Sequence, residues 1–319
     1  MITANNLAGK KNVLLRFNHG LGDHVQFRCV LSHLRYYYPD CEFSVMSSLG
    51  TGDLYADLVK EWFSSRKTDY SMRWIDNLKY DRCLYIQFGH PEYDWDGVCT
   101  KVPQCLLAEF GLATIADLCT YDCTYQEEQA KRVDDWYASL PPNEGAFLIH
   151  YEGASGGPEK DLNPYDVADF CRELSKRNLV PVLLDWSPNG NAIVQAGLAV
   201  SPNAIWEHRD YAEAGELYCL IERATGTLAI DSGIGHVAGC CTSPVFIVWT
   251  KHFPLYCYDL DPAGNVLHLL PDPLPDEYAE LKGCSEVWDA FEGLYNYASY
   301  SAFNSRDPFN YVLKWLDQK

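Results

Sequence analysis

A short apolar run that ends in a glycine turn and passes into a helical repeat is the feature that most limits what this chain can become. Val13 to Phe17 is such a run, and after the turn Phe27, Val30, Leu31 and Leu34 recur at helical spacing until Pro39 ends the pattern. Phe43 to Met46 and Cys83 to Gln87 read as further buried strands, with helical stretches near Pro103 to Phe110 and Gln126 to Leu140. The segment Pro141-Pro142-Asn143-Glu144-Gly145 cannot continue the preceding helix and marks a linker. Beyond it the pattern restarts. Ala146 to His150 and Val180 to Leu184 are strands, and between them Asn163 caps a helix with Pro164 at its first position and Val167, Phe170, Cys171 and Leu174 on one face. Ala204 to Trp206 and Thr227 to Ile230 follow, separated by a helix bearing Leu217, Leu220, Ile221 and Ala224, and Pro244 to Trp249 closes the series. Gly283 to Tyr297 and Asp307 to Leu316 read as terminal helices.

Alternation of this kind needs crossover connections and hence parallel sheets, so the fold class is α/β. At 319 residues the chain exceeds the usual size of one domain. The expected division is residues 1–142 and 143–306, with the last helix, 307–319, packing back onto the first half.

Charge narrows the partners. With 25 Lys and Arg against 44 Asp and Glu the formal charge is −19, which repels a polyanion, so nucleic acid is not an expected partner. Thirteen cysteines are scattered along the chain, and Cys41, Cys171, Cys219 and Cys240 sit among apolar neighbours, the pattern of reduced, buried thiols. The first apolar run is only Val13-Leu14-Leu15, too short for a signal peptide, and no run approaches the roughly 20 apolar residues that span a bilayer. A cytoplasmic protein without a transmembrane segment is expected.

Three glycine-bounded clusters follow predicted strands, at the edge where open parallel sheets bind ligands. The first is Asn18-His19-Gly20-Leu21-Gly22-Asp23-His24, whose glycines allow a tight turn. It is a poor dinucleotide fingerprint, because Val25 holds the third glycine position and no acid ends the next strand. Asp23 reads either as a helix cap or, facing a cleft, as a general base for an acceptor hydroxyl. The second cluster runs from His150 to Lys160 through Gly153-Ala154-Ser155-Gly156-Gly157, where Ser155 offers a hydroxyl and Lys160 a compact positive charge. It lacks Walker A spacing, and a plain surface loop is the competing reading. The third is Asp231-Ser232-Gly233-Ile234-Gly235-His236, where amides at a helix start suit an anion and His236 is either a phosphate donor or a core hydrogen-bonder. Together they call for a phosphate-bearing ligand held by the second half and an acid or base offered by the first.

At these residues the chain resembles the heptosyltransferase family, glycosyltransferase family 9. The Gly-Leu-Gly-Asp turn at 20–23, the Gly-Ala-Ser…Lys loop at 153–160 and Asp231-Ser232-Gly233…His236 match in order and placement. The resemblance implies a GT-B fold, two Rossmann-like domains with parallel sheets facing an interdomain cleft. It implies inverting transfer of a sugar, typically a heptose from ADP-heptose, to an acceptor hydroxyl. By the same resemblance Asp23 is the catalytic base, Ser155, Lys160, Ser232, Gly233 and His236 contact the donor diphosphate, Asp231 binds sugar hydroxyls, and Tyr211 and Ala212 touch the nucleotide base. The acceptor would be a glycan, a lipid-linked glycan or a protein. In place of the family's aromatic after the lysine the chain has Asp161-Leu162-Asn163-Pro164.

Asp94-Trp95-Asp96 and Asp259-Leu260-Asp261 fit an Asp-x-Asp metal pattern, but such matches arise by chance in so acidic a chain, and a metal-independent enzyme needing no cofactor beyond its donor is expected. Cys99, Cys105, Cys119 and Cys123 lack zinc-knuckle spacing. Two other readings fit the same clusters: a non-catalytic sugar-nucleotide-binding protein, and a nucleotide-sugar epimerase.

Overall fold

The computed structural model describes residues 5–47, 51–64, 79–88, 101–120, 122–141, 145–153, 160–185, 205–207, 214–250, 254, 265–275 and 296–319. They form two parallel sheets with helices, the α/β architecture expected. In the first, β1 (Asn12–Arg16), β2 (Glu42–Ser47), β3 (Glu61–Ser64) and β4 (Arg82–Tyr85) lie in the order β3-β2-β1-β4. Helix α1 (Leu21–Tyr37) joins β1 to β2. Helix α2 (Lys101–Cys105) widens into a π-type turn over Leu106–Phe110 and stops at Gly111, whose φ of 66° suits a residue without Cβ. Helix α3 (Glu127–Ala138) starts in a capping box, the Gln126 N–H donating to Gln129 Oε1 at 2.7 Å.

The second sheet has seven strands, all paired in parallel. They are β5 (Gly145–His150), β6 (Leu179–Asp185), β7 (Ile205–Glu207), β8 (Gly226–Ile230), β9 (Val245–Val248), β10 (Val266–Asp272) and β11 (Tyr297–Ser301), in the order β11-β10-β9-β8-β5-β6-β7. Helices α4 (Pro164–Ser175), α5 (Ala214–Glu222), α6 (Gly233–Gly239) and α7 (Asp307–Leu316) accompany it. Asn163 caps α4 as the sequence predicts, its side chain accepting from the Tyr165 N–H at 2.9 Å. Strand order reverses between β1 and β4 in one sheet and between β5 and β8 in the other. The clusters at 18–24, 150–160 and 231–236 leave the carboxyl ends of β1, β5 and β8, which are the strands at these switch points.

Central strands are buried on both faces: every residue of β8 and β9 is inaccessible, which is why they read as unbroken apolar runs. One apolar core is continuous between the two halves, since Leu21 and Val25 of α1 join the same cluster as Ile234, Val237 and Ala238 of α6. A second core lies on the other face of the larger sheet, around Phe147, Phe170 and Leu174.

Two expectations are corrected. Pro244 to Trp249 does not close the series, because β10 and β11 extend the sheet past β9. The last helix packs on the second half, not the first: Phe309 and Val312 enter the second core, and Phe309 lies 5.1 Å from Phe170 between ring centroids. Arg177 and Asp317 add a bidentate ion pair at 2.8 and 2.9 Å. The Gly283 to Tyr297 helix falls mostly outside the described residues, and Tyr297 itself opens β11. Residues 142–144 of the linker also lie outside them. Of the cysteines expected to be buried thiols, Cys41, Cys171 and Cys219 are buried and Cys240 is half-buried.

The interior holds several neutral histidines. Burial pushes His24 and His268 down to about 3 and His150 to about 4 from an ordinary 6.5. His24 bonds Tyr55 Oη at 3.2 Å and Ser47 Oγ at 3.1 Å, and His268 Nδ1 accepts from Trp249 Nε1 at 2.9 Å. These groups take up protons only on unfolding once the pH falls below about 6.5, so each removes on the order of 1 kcal/mol of stability per pH unit below that value. Urea unfolding at about pH 7 and about pH 5 is expected to show a clearly lower midpoint at the acidic value, and equal midpoints would contradict the assignment.

Candidate active site

The start of α1 carries the first group. Its N-cap, Gly20, is extended and offers no side-chain cap, and Asp23 sits in the first turn. Among the described residues no backbone N–H donates to its carboxylate, so the helix-cap reading does not describe it. Instead Oδ1 accepts from Lys101 Nζ at 2.6 Å, and Oδ2 stands 3.9 Å from His19 Nδ1. Burial alone would push this carboxyl up; the Lys101 ammonium outweighs it and holds Asp23 below the usual carboxylate value. The side chain keeps 21% of its surface exposed, enough to meet a ligand.

The second group is built at the switch point of the larger sheet. Lys160, at the end of the loop after β5, reaches the segment after β8, its Nζ lying 3.0 Å from Asp231 Oδ2 and 3.3 Å from the Asp231 carbonyl. Both side chains are almost fully buried, at 9% and 5% exposure. The base of the loop is pinched shut by the Gly153 N–H donating to Asp161 Oδ1 at 2.9 Å and the Leu162 N–H to the Tyr151 carbonyl at 2.9 Å. Asp161 thus has a structural task that its motif did not reveal. Ser232 is the N-cap of α6, and its Oγ is shielded from solvent without a hydrogen-bond partner among the described residues. His236 is buried; burial first, then the charges of Lys101 and Lys160, push it down to about 3 against the pull of Asp23, so it is a neutral imidazole at neutral pH.

Glycines bring the two groups together. A Cβ at Gly22 would stand 2.3 Å from His236 Cδ2, and one at Gly233 would stand 2.6 Å from Leu21 Cβ and 3.0 Å from the Gly22 nitrogen. The start of α1 therefore lies directly against α6, and Asp23 from one half and His236 from the other share one place. These glycines serve close approach, a different need from the tight turn that the sequence suggests. Gly22→Ala and Gly233→Ala are each expected to force the helices apart and destabilise the protein by about 1–3 kcal/mol. Thermal unfolding checks this, and melting points equal to that of the native protein would contradict it.

A second fastening lies beside the site. Asp53 Oδ2 accepts from the Gly215 N–H of α5 at 2.7 Å and from Gln129 Nε2 of α3 at 3.0 Å. Sequence reasoning missed Asp53 and Lys101, because neither belongs to a motif and each is defined by a contact distant in the chain; His19 lies in the first cluster but was given no role there. Ser155, Tyr211 and Ala212 lie outside the described residues, as do Asp94, Asp96, Asp259, Asp261 and Cys99. Among the described residues no three His, Cys, Asp or Glu side chains are grouped to hold a metal ion, and no helix is long and apolar enough to cross a membrane.

Two parallel α/β lobes, with polar turns from both switch points meeting between them, define the GT-B class of fold. Solved structures of that class match this one. The glycosyl transferase family 9 protein from Veillonella parvula aligns over 99% of this chain and 98% of its own with a TM-score of 0.64 at 15% identity. Escherichia coli ADP-heptose lps heptosyltransferase II aligns over 81% of this chain and 89% of its own, with a TM-score of 0.61 at 15% identity. E. coli heptosyltransferase WaaC, solved with ADP, aligns over 96% and 97%, with a TM-score of 0.56 at 10% identity. At such identities the likeness is one of fold. No protein-family model matches the sequence, and neither does any curated protein sequence.

Proposed function

We propose that the protein is an inverting glycosyltransferase that moves a sugar from a nucleoside diphosphate sugar to an acceptor hydroxyl without a metal ion. The observation that carries this reading is the seat of the His236 ring on Gly22, which sets a phosphate-compatible cluster beside the carboxylate of Asp23. Lys160, Ser232, Gly233 and His236, with Ser155, take the donor diphosphate. Asp231 takes sugar hydroxyls while keeping the Lys160 ammonium in place, and Tyr211 and Ala212 face the nucleotide base. The unpartnered Ser232 Oγ supports the assignment, because a buried hydroxyl gains a bond when a phosphate oxygen arrives.

In the reaction the acceptor oxygen attacks the anomeric carbon as its proton passes to Asp23. The bond from that carbon to the phosphate oxygen breaks, and the diphosphate leaves with the electron pair. Lys160 and the neutral His236 N–H meet the charge that develops there, from positions fixed before reaction. The E. coli neighbours are an ADP-heptose transferase and a heptosyltransferase bound to ADP, which favours ADP-heptose as donor. The acceptor is a glycan, a lipid-linked glycan or a protein.

A thermal-shift screen of nucleoside diphosphates and their sugars, followed by product NMR, tests the reading. ADP and ADP-heptose are expected to raise the melting temperature, and the product to carry the inverted anomeric configuration. Retained configuration, or no stabilisation by any nucleoside diphosphate, would overturn it.

A further inference from the structure

Lys101 belongs to none of the three glycine-bounded clusters, yet among the described residues its side chain makes the shortest polar contact to the Asp23 carboxylate. It rises from α2, which is fixed by the buried Val102 and Cys105 on either side of Pro103. Its Nζ stands 2.6 Å from Oδ1, and the two side chains retain only 17% and 21% of their exposure. The other carboxylate oxygen is differently placed. Oδ2 lies over the Gly20 turn, 3.7 Å from where a Cβ would stand, and 3.9 Å from His19 Nδ1. The Phe88 N–H donates to His19 Nε2 at 3.3 Å, so the neutral imidazole carries its proton on Nδ1, the nitrogen turned to Asp23.

We propose that Lys101 is the positioning residue of the proton-transfer step, engaging Oδ1 so that Oδ2 is the oxygen that receives the acceptor proton. The inference rests on the reading of Asp23 as base. Burial works to raise this carboxyl, and the bonded Lys101 ammonium is the largest of the charges that hold it below its ordinary value. Among the described residues the other titratable groups near Asp23 are His19 and His24 on its own segment and His236 on α6. His24 is turned to Tyr55 and Ser47. The cation bonded to Asp23 is Lys101.

The test replaces Lys101 and reads Asp23 in two ways. In protein labelled with ¹³C-aspartate, the Asp23 carboxyl, assigned by its loss in Asp23→Asn, is expected to titrate below an ordinary aspartate and to rise by roughly 1–3 pH units in Lys101→Met. The acid limb of kcat/KM rises with it, whereas Lys101→Arg keeps the native limb. Lys101→Gln gives the same shift and serves if the Met variant folds poorly. An Asp23 that titrates at or above the ordinary value in the native protein, or one that does not move when Lys101 is replaced, would overturn the proposal. An ion pair that served folding alone would lower the melting temperature and leave the pH limb in place. The NMR titration needs no turnover. Full activity of Asp23→Asn would therefore sink the assignment of the base while the hold of Lys101 on the carboxyl was still decided.

Discussion

Asp23→Asn is expected to lower turnover by about 10²–10⁴-fold, the usual contribution of a positioned general base, while the affinity for a nucleoside diphosphate stays nearly that of the native protein. The change is nearly isosteric and keeps an oxygen for Lys101, so α1 and its contact with α6 persist. What disappears is the capacity to accept a proton. The donor side is untouched, because Lys160, Asp231 and Ser232 lie beyond the strands of the other sheet. Stability should change little, since the neutral amide avoids the burial cost that the carboxylate bears, which offsets the loss of the ion pair with Lys101. Single-turnover transfer alongside calorimetric titration of ADP separates the two effects. Turnover at the native rate, or loss of ADP binding in step with turnover, would contradict the assigned role.

Lys160→Ala carries the largest expected cost in stability. The Lys160 ammonium and Asp231 carboxylate meet at 3.0 Å with almost no solvent access, so removing the cation strands a buried negative charge. Breaking such a pair typically costs about 3–5 kcal/mol. Diphosphate binding is expected to fall as well, because the negative charge left behind repels the ligand that the cation attracts. Adding Asp231→Asn removes the stranded charge, so the double variant should recover part of the stability without recovering donor affinity. Chemical unfolding of the native protein, the single variant and the double variant checks this. A single variant as stable as the native protein would show that the pair is not buried as described.

The parts of the fold that could be read from sequence are those whose residues face the interior on all sides. Strands β1, β5 and β8 each carry an unbroken apolar run, Val13 to Leu15, Ala146 to Ile149 and Leu228 to Ile230, followed by a glycine-containing turn, so their place was legible. Glu61–Ser64 was not, because four residues with a charged and a polar end carry no clear pattern. Nor were β10 and β11: the outermost strand has a neighbour on one side only and reads Tyr-Ala-Ser-Tyr-Ser, without an apolar run. The last helix shows why periodicity stops short of topology. Phe309 and Val312 mark a buried face, but only the presence of Phe170 on α4 determines which lobe receives it.

The same division holds in the site. Asp23, Lys160, Asp231 and His236 were legible because glycines beside them mark places where backbone approaches backbone or ligand. Lys101 and Asp53 were not, since each gains its meaning from a partner far away in the chain: Lys101 from Asp23, and Asp53 from Gly215 and Gln129. The close approach of Gly22 to His236 likewise joins two halves that sequence reasoning treats separately.

The most direct measurement is a crystal structure of the Asp23→Asn protein with an uncleaved nucleoside diphosphate sugar, ADP-heptose first. The diphosphate is expected on Lys160, Ser232 and His236, with the anomeric carbon turned across the gap toward residue 23. A diphosphate seated away from Lys160, or a sugar pointing away from residue 23, would contradict the account.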